Sequence, residues 1–289
     1  MSVQGKDFTS RVTVADGAWG TELDKLGCPP GYCREEWNIS QPDRVRQVAE
    51  AYVAAGAQII LTNTFSGNRI TLAKHGHGEE VRAFNRAGAE ISKQAAAGKA
   101  LVFGSIGPTG KMVMMGEIGE DELYEVFKEQ ATALAEGGAD ALVLETMTEL
   151  AEVCAAVQAA KGTGLAVAAS MTYDSGKDKT STMMGVTPEQ AVEALLAAGA
   201  DIIGCNCGIG IDNYIQVAAK MRAVTDRPIW VKANAGLPEI EGDKIVYRMT
   251  PTEFAQKAQQ LVTAGANIVG GCCGTSPEFI AALREAVCR

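Results

Sequence analysis

The sequence predicts a single (β/α)8 barrel, one domain spanning residues 1–289. Three observations carry that expectation. Short β-rich runs recur eight times, separated by Ala/Glu/Lys/Gln-rich stretches of helical periodicity. The runs are mostly apolar rather than alternating, as strands covered on both faces should be. Polar or Gly-rich tokens follow the runs, and in a barrel the C-terminal strand ends meet on one face and carry the site. The length fits a fold that typically takes about 250 residues. An open doubly wound sheet is the alternative reading of the same alternation.

The expected strands begin near Val12, Ile59, Leu101, Ala141, Ala166, Ile202, Ile229 and Ile268. In that order their tokens are Asp16-Gly17-Ala18, Thr62-Asn63-Thr64-Phe65, Ser105-Ile106-Gly107-Pro108 and Glu145-Thr146-Met147, then Thr172-Tyr173, Asn206-Cys207, Asn234-Ala235-Gly236 and Cys272-Cys273-Gly274. An internal echo supports the count. Ala55-Gly56-Ala57, Gly138-Ala139-Asp140, Gly199-Ala200-Asp201 and Gly265-Ala266-Asn267 each precede a strand, as a helix ending in a left-handed glycine would.

Composition narrows the function. A net charge of −9 argues against nonspecific binding to nucleic acid or anionic membrane. No apolar run approaches the ~20 residues of a membrane span. Residues Met1 to Asp7 hold no apolar signal core, so the expected compartment is the cytoplasm. Eight cysteines are far too few for a disulfide scaffold, and a cytosolic chain keeps its thiols reduced. Cys154 in a helical pattern and Cys288 in the tail read as ordinary thiols, as do Cys28 and Cys33 in a Pro/Gly loop.

The clustered cysteines point to metal. Cys207, Cys272 and Cys273 would give a three-thiolate zinc site at the C-terminal mouth, drawn from strands six and eight with only strand seven between. Such a site is a weak Lewis acid toward water but takes a fourth thiol as thiolate, which suits alkyl transfer to sulfur. Hydrolytic zinc sites use His and carboxylate ligands. The only histidines, His75 and His77, sit in a His-Gly-His-Gly turn expected to be exposed. Strand alternation places Cys205 on the same face as Cys207, as a competing ligand. The Asn234 amide oxygen would be a displaceable fourth ligand, or else Asn234 shapes the turn before Gly236. Asp16 and Glu145 suit a substrate ammonium group, or else a helix N-cap and a salt bridge. Thr62, Asn63 and Thr64 would bond a carboxylate or methyl donor, or else satisfy loop backbone. The Met-rich loop Lys111 to Gly116 packs under a lid, faces a cofactor or partner protein, or plugs the mouth.

Taken with Gly20-Thr21-Glu22, Gly107-Pro108-Thr109-Gly110, Leu144-Glu145-Thr146 and Gly270-Gly271-Cys272-Cys273-Gly274-Thr275, these tokens resemble the zinc-dependent homocysteine S-methyltransferases. The likeness is strongest to the homocysteine-binding module of the cobalamin-dependent methionine synthases, and it covers nearly the whole chain. It implies a (β/α)8 barrel whose Zn2+ is held by Cys207, Cys272 and Cys273, with Asn234 displaceable. It implies homocysteine as substrate, with Asp16 and Glu145 at its amino group. The substrate-binding set is then Asp16, Gly17, Thr62, Asn63, Glu145 and Asn234. No folate-binding barrel or cobalamin module is seen before Arg289. Either those parts are separate polypeptides, or the donor is different, or the chain is an excised module. The expected donor is methylcobalamin on a separate corrinoid protein, with S-methylmethionine or S-adenosylmethionine as alternatives. Betaine is set aside for want of the longer C-terminal dimerisation region. A related corrinoid or thioether methyltransferase with another acceptor remains open, as does a noncatalytic zinc- or thiol-binding barrel.

Overall fold

The structure, a computed structural model, describes Val3, residues 7–242 and residues 244–288. Eight parallel strands form the barrel wall: β1 (Thr13–Val14), β2 (Ile59–Leu61), β3 (Leu101–Ile106), β4 (Ala141–Met147), β5 (Ala166–Met171), β6 (Ile202–Cys207), β7 (Ile229–Ala233) and β10 (Ile268–Gly271). Neighbours follow chain order from β2 through β7 to β10 and β1, and a parallel bridge from Ala15 to Ile59 closes the ring. The first strand starts one residue later than the sequence suggests; the other seven start where expected.

Alternation along the strands sorts side chains into two layers. Ile203, Cys205, Val231 and Val269 join the shell packed between wall and helices. Phe103, Val143, Ala168, Ile202, Trp230 and Ile268 fill the interior. Trp230 stacks on Phe103 with ring centroids 5.7 Å apart. Only glycine fits beside it at 204, where a Cβ would lie 1.9 Å from the Trp230 carbonyl oxygen. One step further along β3 to β7 the inward position turns polar. Ser105 follows Phe103, Glu145 follows Val143, Ser170 follows Ala168, Asn206 follows Gly204 and Lys232 follows Trp230, all of them buried. The interior is thus greasy at its N-terminal end and carries a ring of hydrogen-bonding groups below its C-terminal mouth.

Helices of 11–17 residues cover the wall. Proline opens four of them, and Thr187 and Thr250 start theirs with full capping boxes. The echo glycines Gly56, Gly138, Gly199 and Gly265 all have φ between +88° and +109°. Beyond each lies a side-chain acceptor for the first strand amides of the preceding unit. Gln58 takes Val14 N–H at 3.1 Å, Asp140 takes Val102 at 2.8 Å, Asp201 takes Val167 at 2.8 Å, and Asn267 takes Ile229 at 3.0 Å. These four staples line the N-terminal rim.

Two loops on the mouth differ from expectation. The β7 loop carries an antiparallel hairpin, β8 (Glu239–Glu241) with β9 (Lys244–Val246), that the sequence reading did not anticipate. The Met-rich loop is no buried plug, because Met114 and Met115 are 67% and 69% exposed. Glu149 holds it from beneath by accepting from the Val113 and Met114 amides. Among the described residues no helix is long and apolar enough to cross a membrane.

Candidate active site

The register brings the cysteines together. Cys207 and Gly271 both pair with Ala233 on the intervening strand, so the end of β6 and the residues just after β10 flank β7. The sulfurs of Cys207, Cys272 and Cys273 lie within 4.8 Å of one another. A tetrahedral zinc with Zn–S bonds of ~2.3 Å sets sulfurs about 3.8 Å apart, so the three need only a small contraction. An all-sulfur donor set also matches zinc's softness. Cys207 has φ +66°, a left-handed conformation costing about 1–3 kcal/mol in a residue with a side chain. Cys205, two residues earlier, follows plain alternation and is wholly buried in the outer shell, away from the three-sulfur group. The turn at Cys207 is what separates their fates.

Charge within the cluster is uneven. Hydrogen bonds from Cys272 and Cys273 pull the Cys207 thiol down to about 3 against the cost of burial. The two donors move the other way, Cys273 to about 11, because they bond to Cys207. Asn234 completes the surround. Its Nδ2 lies 3.7 Å from Cys207 Sγ and donates to the Gly208 carbonyl at 2.6 Å, while its Oδ1 accepts from Cys273 N–H at 3.0 Å. Asn234 thus touches the cluster and shapes the turn at once, with its oxygen engaged by backbone.

A cavity of about 610 Å³ opens over the cluster, and the three cysteines, Thr62, Glu145 and Lys232 all reach it. Glu145 is buried without an ion pair of its own among the described residues. Ser105 donates to its Oε1 at 2.5 Å, and Asn206 lies 3.4 Å from its Oε2. Burial pushes its carboxyl pKa up, with the Lys232 charge opposing. Asp16 caps no helix, since Ala18 occupies the N-cap. Its Oδ1 pairs with Lys232 Nζ at 2.5 Å, and its Oδ2 accepts from Leu61 N–H and Trp19 Nε1. Gly17, Thr62 and Asn63 line the cavity. The Thr62 hydroxyl accepts from Ser105 N–H and donates to Thr64 Oγ1, whose own proton goes to the Ser105 carbonyl, and the Asn63 amide donates to the Arg34 carbonyl and Asn38. Their side chains do satisfy neighbouring backbone. His75 and His77 lie in the expected turn, with His77 resting on Phe84. Cys28 and Cys33 are buried loop thiols outside the cluster.

Sequence reasoning missed two members. Lys232 is buried in the polar ring, and although burial disfavours its charge, Asp16 and Glu145 outweigh that and hold its pKa above the ordinary lysine value. Its signal was visible: one charged residue within the apolar run Ile229 to Ala233. Asn206 was noted only as the neighbour of Cys207. Its side chain ties three strands, accepting from Thr146 N–H and Ser170 Oγ and donating to Thr146 Oγ1. Thr146 has φ +63°, at an irregularity in the β4 register immediately after Glu145. Asn206→Ala should therefore cost about 1–3 kcal/mol, by stranding the buried groups it serves. It should also weaken substrate binding through Glu145. A KM unchanged from wild type would show that Thr146 holds its conformation unaided.

The profile of the homocysteine S-methyltransferase family matches residues 13–287. The chain is 30% identical to methionine synthase of Mycobacterium leprae over 303 residues, covering 98% of this chain and 25% of that protein. Methionine synthase of Mycobacterium tuberculosis gives 30% over 301 residues, covering 97% and 25%. The chain thus spans about a quarter of the length of these relatives. The homocysteine methyltransferase MmuM of Escherichia coli, in its metallated form, superposes with a TM-score of 0.81 at 24% identity, covering 98% of this chain and 97% of the other.

Proposed function

Because the chain belongs to the homocysteine S-methyltransferase family, we propose that it transfers a methyl group to the sulfur of L-homocysteine, giving methionine. The observation that carries this is the three-sulfur cluster opening onto a cavity with a buried carboxylate on its wall. Cys207, Cys272 and Cys273 would hold zinc, with Asn234 beside them as the ligand to be displaced once its amide turns. When bound, zinc supplies a Lewis acid that lets a substrate thiol lose its proton near neutral pH. Glu145 meets the substrate ammonium, which would draw its raised pKa back down and fix its charge. Asp16 serves that contact at one remove, by keeping Lys232 in place. Gly17, Thr62 and Asn63 border the space left for the substrate carboxylate. The sulfur–carbon bond forms as the donor's bond to the methyl carbon breaks, the electron pair staying with the donor.

The donor is read as methylcobalamin carried by a corrinoid protein, as the resemblance of the sequence motifs implies. The test is anaerobic transfer from free methylcobalamin to L-homocysteine by zinc-loaded protein, following the cobalamin spectrum and methionine together. Methionine that disappears on chelation is the expected result. Zinc-loaded protein that makes none from methylcobalamin, but does from S-methylmethionine or S-adenosylmethionine, would replace the donor. Failure with all three would overturn the acceptor.

A further inference from the structure

A long cationic side chain crosses each echo glycine. A Cβ on Gly138, Gly199 or Gly265 would meet the stem of Lys93, Lys161 or Arg222, and one on Gly56 would lie 3.2 Å from Arg284 Cγ. At three of the four the head group goes on to bond the staple residue. Lys93 reaches Asp140 at 2.8 Å, Lys161 reaches Asp201 at 2.9 Å, and Arg222 reaches Asn267 Oδ1 at 2.7 Å. The fourth departs from the pattern. Among the described residues the Arg284 guanidinium bonds only the Cys288 sulfur, 3.1 Å from Nη1, and leaves the Gln58 staple alone. A thiol is a weak acceptor, and a guanidinium has five N–H donors to place.

Arg284 lines a cavity of about 590 Å³ at the N-terminal rim, whose floor is Val12, Thr13 and Gln58. Arg11 stands on the same lining, exposed and without an ion pair among the described residues. Asp7 is there too, but its Oδ1 is occupied by the amide and hydroxyl of Thr9. In a chain of net charge −9, two guanidiniums sharing a cavity without a carboxylate between them make a local positive spot.

We infer that this cavity is a second binding site, for a small oxyanion held between Arg284 and Arg11, either a carboxylate or a phosphate monoester. The paired N–H groups of a guanidinium match the two oxygens that either would present. The volume is in the range of small-molecule sites. Arg284 belongs to the last helix, Pro277–Val287, and Arg11 precedes β1, the shortest strand of the wall. The anion therefore ties the two ends of the chain together where the ring closes. Its effect falls on the stability of the barrel, since the N-terminal face of this architecture serves stability and the opposite face serves chemistry.

Thermal unfolding of the full chain with inorganic phosphate, and separately with succinate, at ionic strength held constant with chloride, tests the site. The midpoint should rise with probe concentration, as binding to the folded state alone requires. A rise with phosphate only identifies a phosphate monoester as the ligand class, and a rise with succinate only identifies a carboxylate. No rise with either would overturn the inference. Arg284→Met keeps the stem across Gly56 and removes the donors, and affinity for the probe should fall about 10–100-fold. Arg11→Gln, at an exposed position, should weaken binding in the same sense and serves where the first variant folds poorly. Affinity unchanged in both would overturn the site. Amide hydrogen exchange of wild type locates the probe: slowing is expected at residues 12–14 and 284–288. Slowing confined to the strand ends around the cysteines would put the anion in the mouth and overturn the assignment.

Discussion

Cys207→Ser is expected to give a folded barrel that retains no zinc after gel filtration and has lost methyl transfer roughly a thousandfold, equivalent to about 4 kcal/mol of transition-state stabilisation. Cys207 is singled out because it alone of the three sulfurs comes from β6. Its removal leaves only the adjacent pair Cys272 and Cys273, one ligand short of the set. Cys205→Ala is the matched control. That thiol is enclosed among apolar side chains of the outer shell, so the variant should keep one zinc per chain. Metal analysis of both proteins decides the matter. Zinc retained by Cys207→Ser, or lost from Cys205→Ala, would mean that another sulfur supplies the third ligand.

The second large effect should come from Lys232→Met. Lys232 and Asp16 are both buried, and the substitution leaves the aspartate without its cation while Leu61 N–H and Trp19 Nε1 remain. Breaking a buried pair on one side typically costs about 3–5 kcal/mol, because the surviving charge is stranded. Urea unfolding should show that loss. The double variant Asp16→Asn with Lys232→Met should recover most of it, since removing both charges avoids the stranded one. A single variant as stable as wild type would mean that water or Glu145 rearranges to absorb the change.

Much of this architecture is legible because buried parallel strands leave an unambiguous trace. A run such as Ala141 to Leu144, apolar on both faces and preceded by Gly138-Ala139-Asp140, has little else to become. The cysteine cluster is legible for a related reason: the spacing of Asn206-Cys207 and Cys272-Cys273 at strand ends, combined with barrel order, leaves only one strand between them. Lys232 was overlooked because its importance depends on which face of β7 looks inward, and Trp230 settles that only once its packing on Phe103 is seen. The role assigned to Asp16 shifted similarly. Sequence places a carboxylate at the mouth but does not show that a lysine 216 residues away has taken one of its oxygens. The hairpin escaped notice because Glu239-Ile240-Glu241 is short and exposed, and two-stranded ribbons have little burial to announce them.

The four staples at the N-terminal rim carry an implication about ancestry and change. Each joins one strand to its predecessor, so the ring is four blocks of two strands, the same device written four times. At the opposite rim no two strand ends match, each having acquired its own residue for its own task. The repeat survives where every block must do the same thing, namely hold its neighbour. It has been overwritten where the blocks do different things. A mutation in the mouth loops, beyond the buried Asp16–Lys232 pair and the Asn206 ties, can therefore alter what the molecule acts on without touching what keeps it closed, and new specificities are accessible there at small risk to the fold.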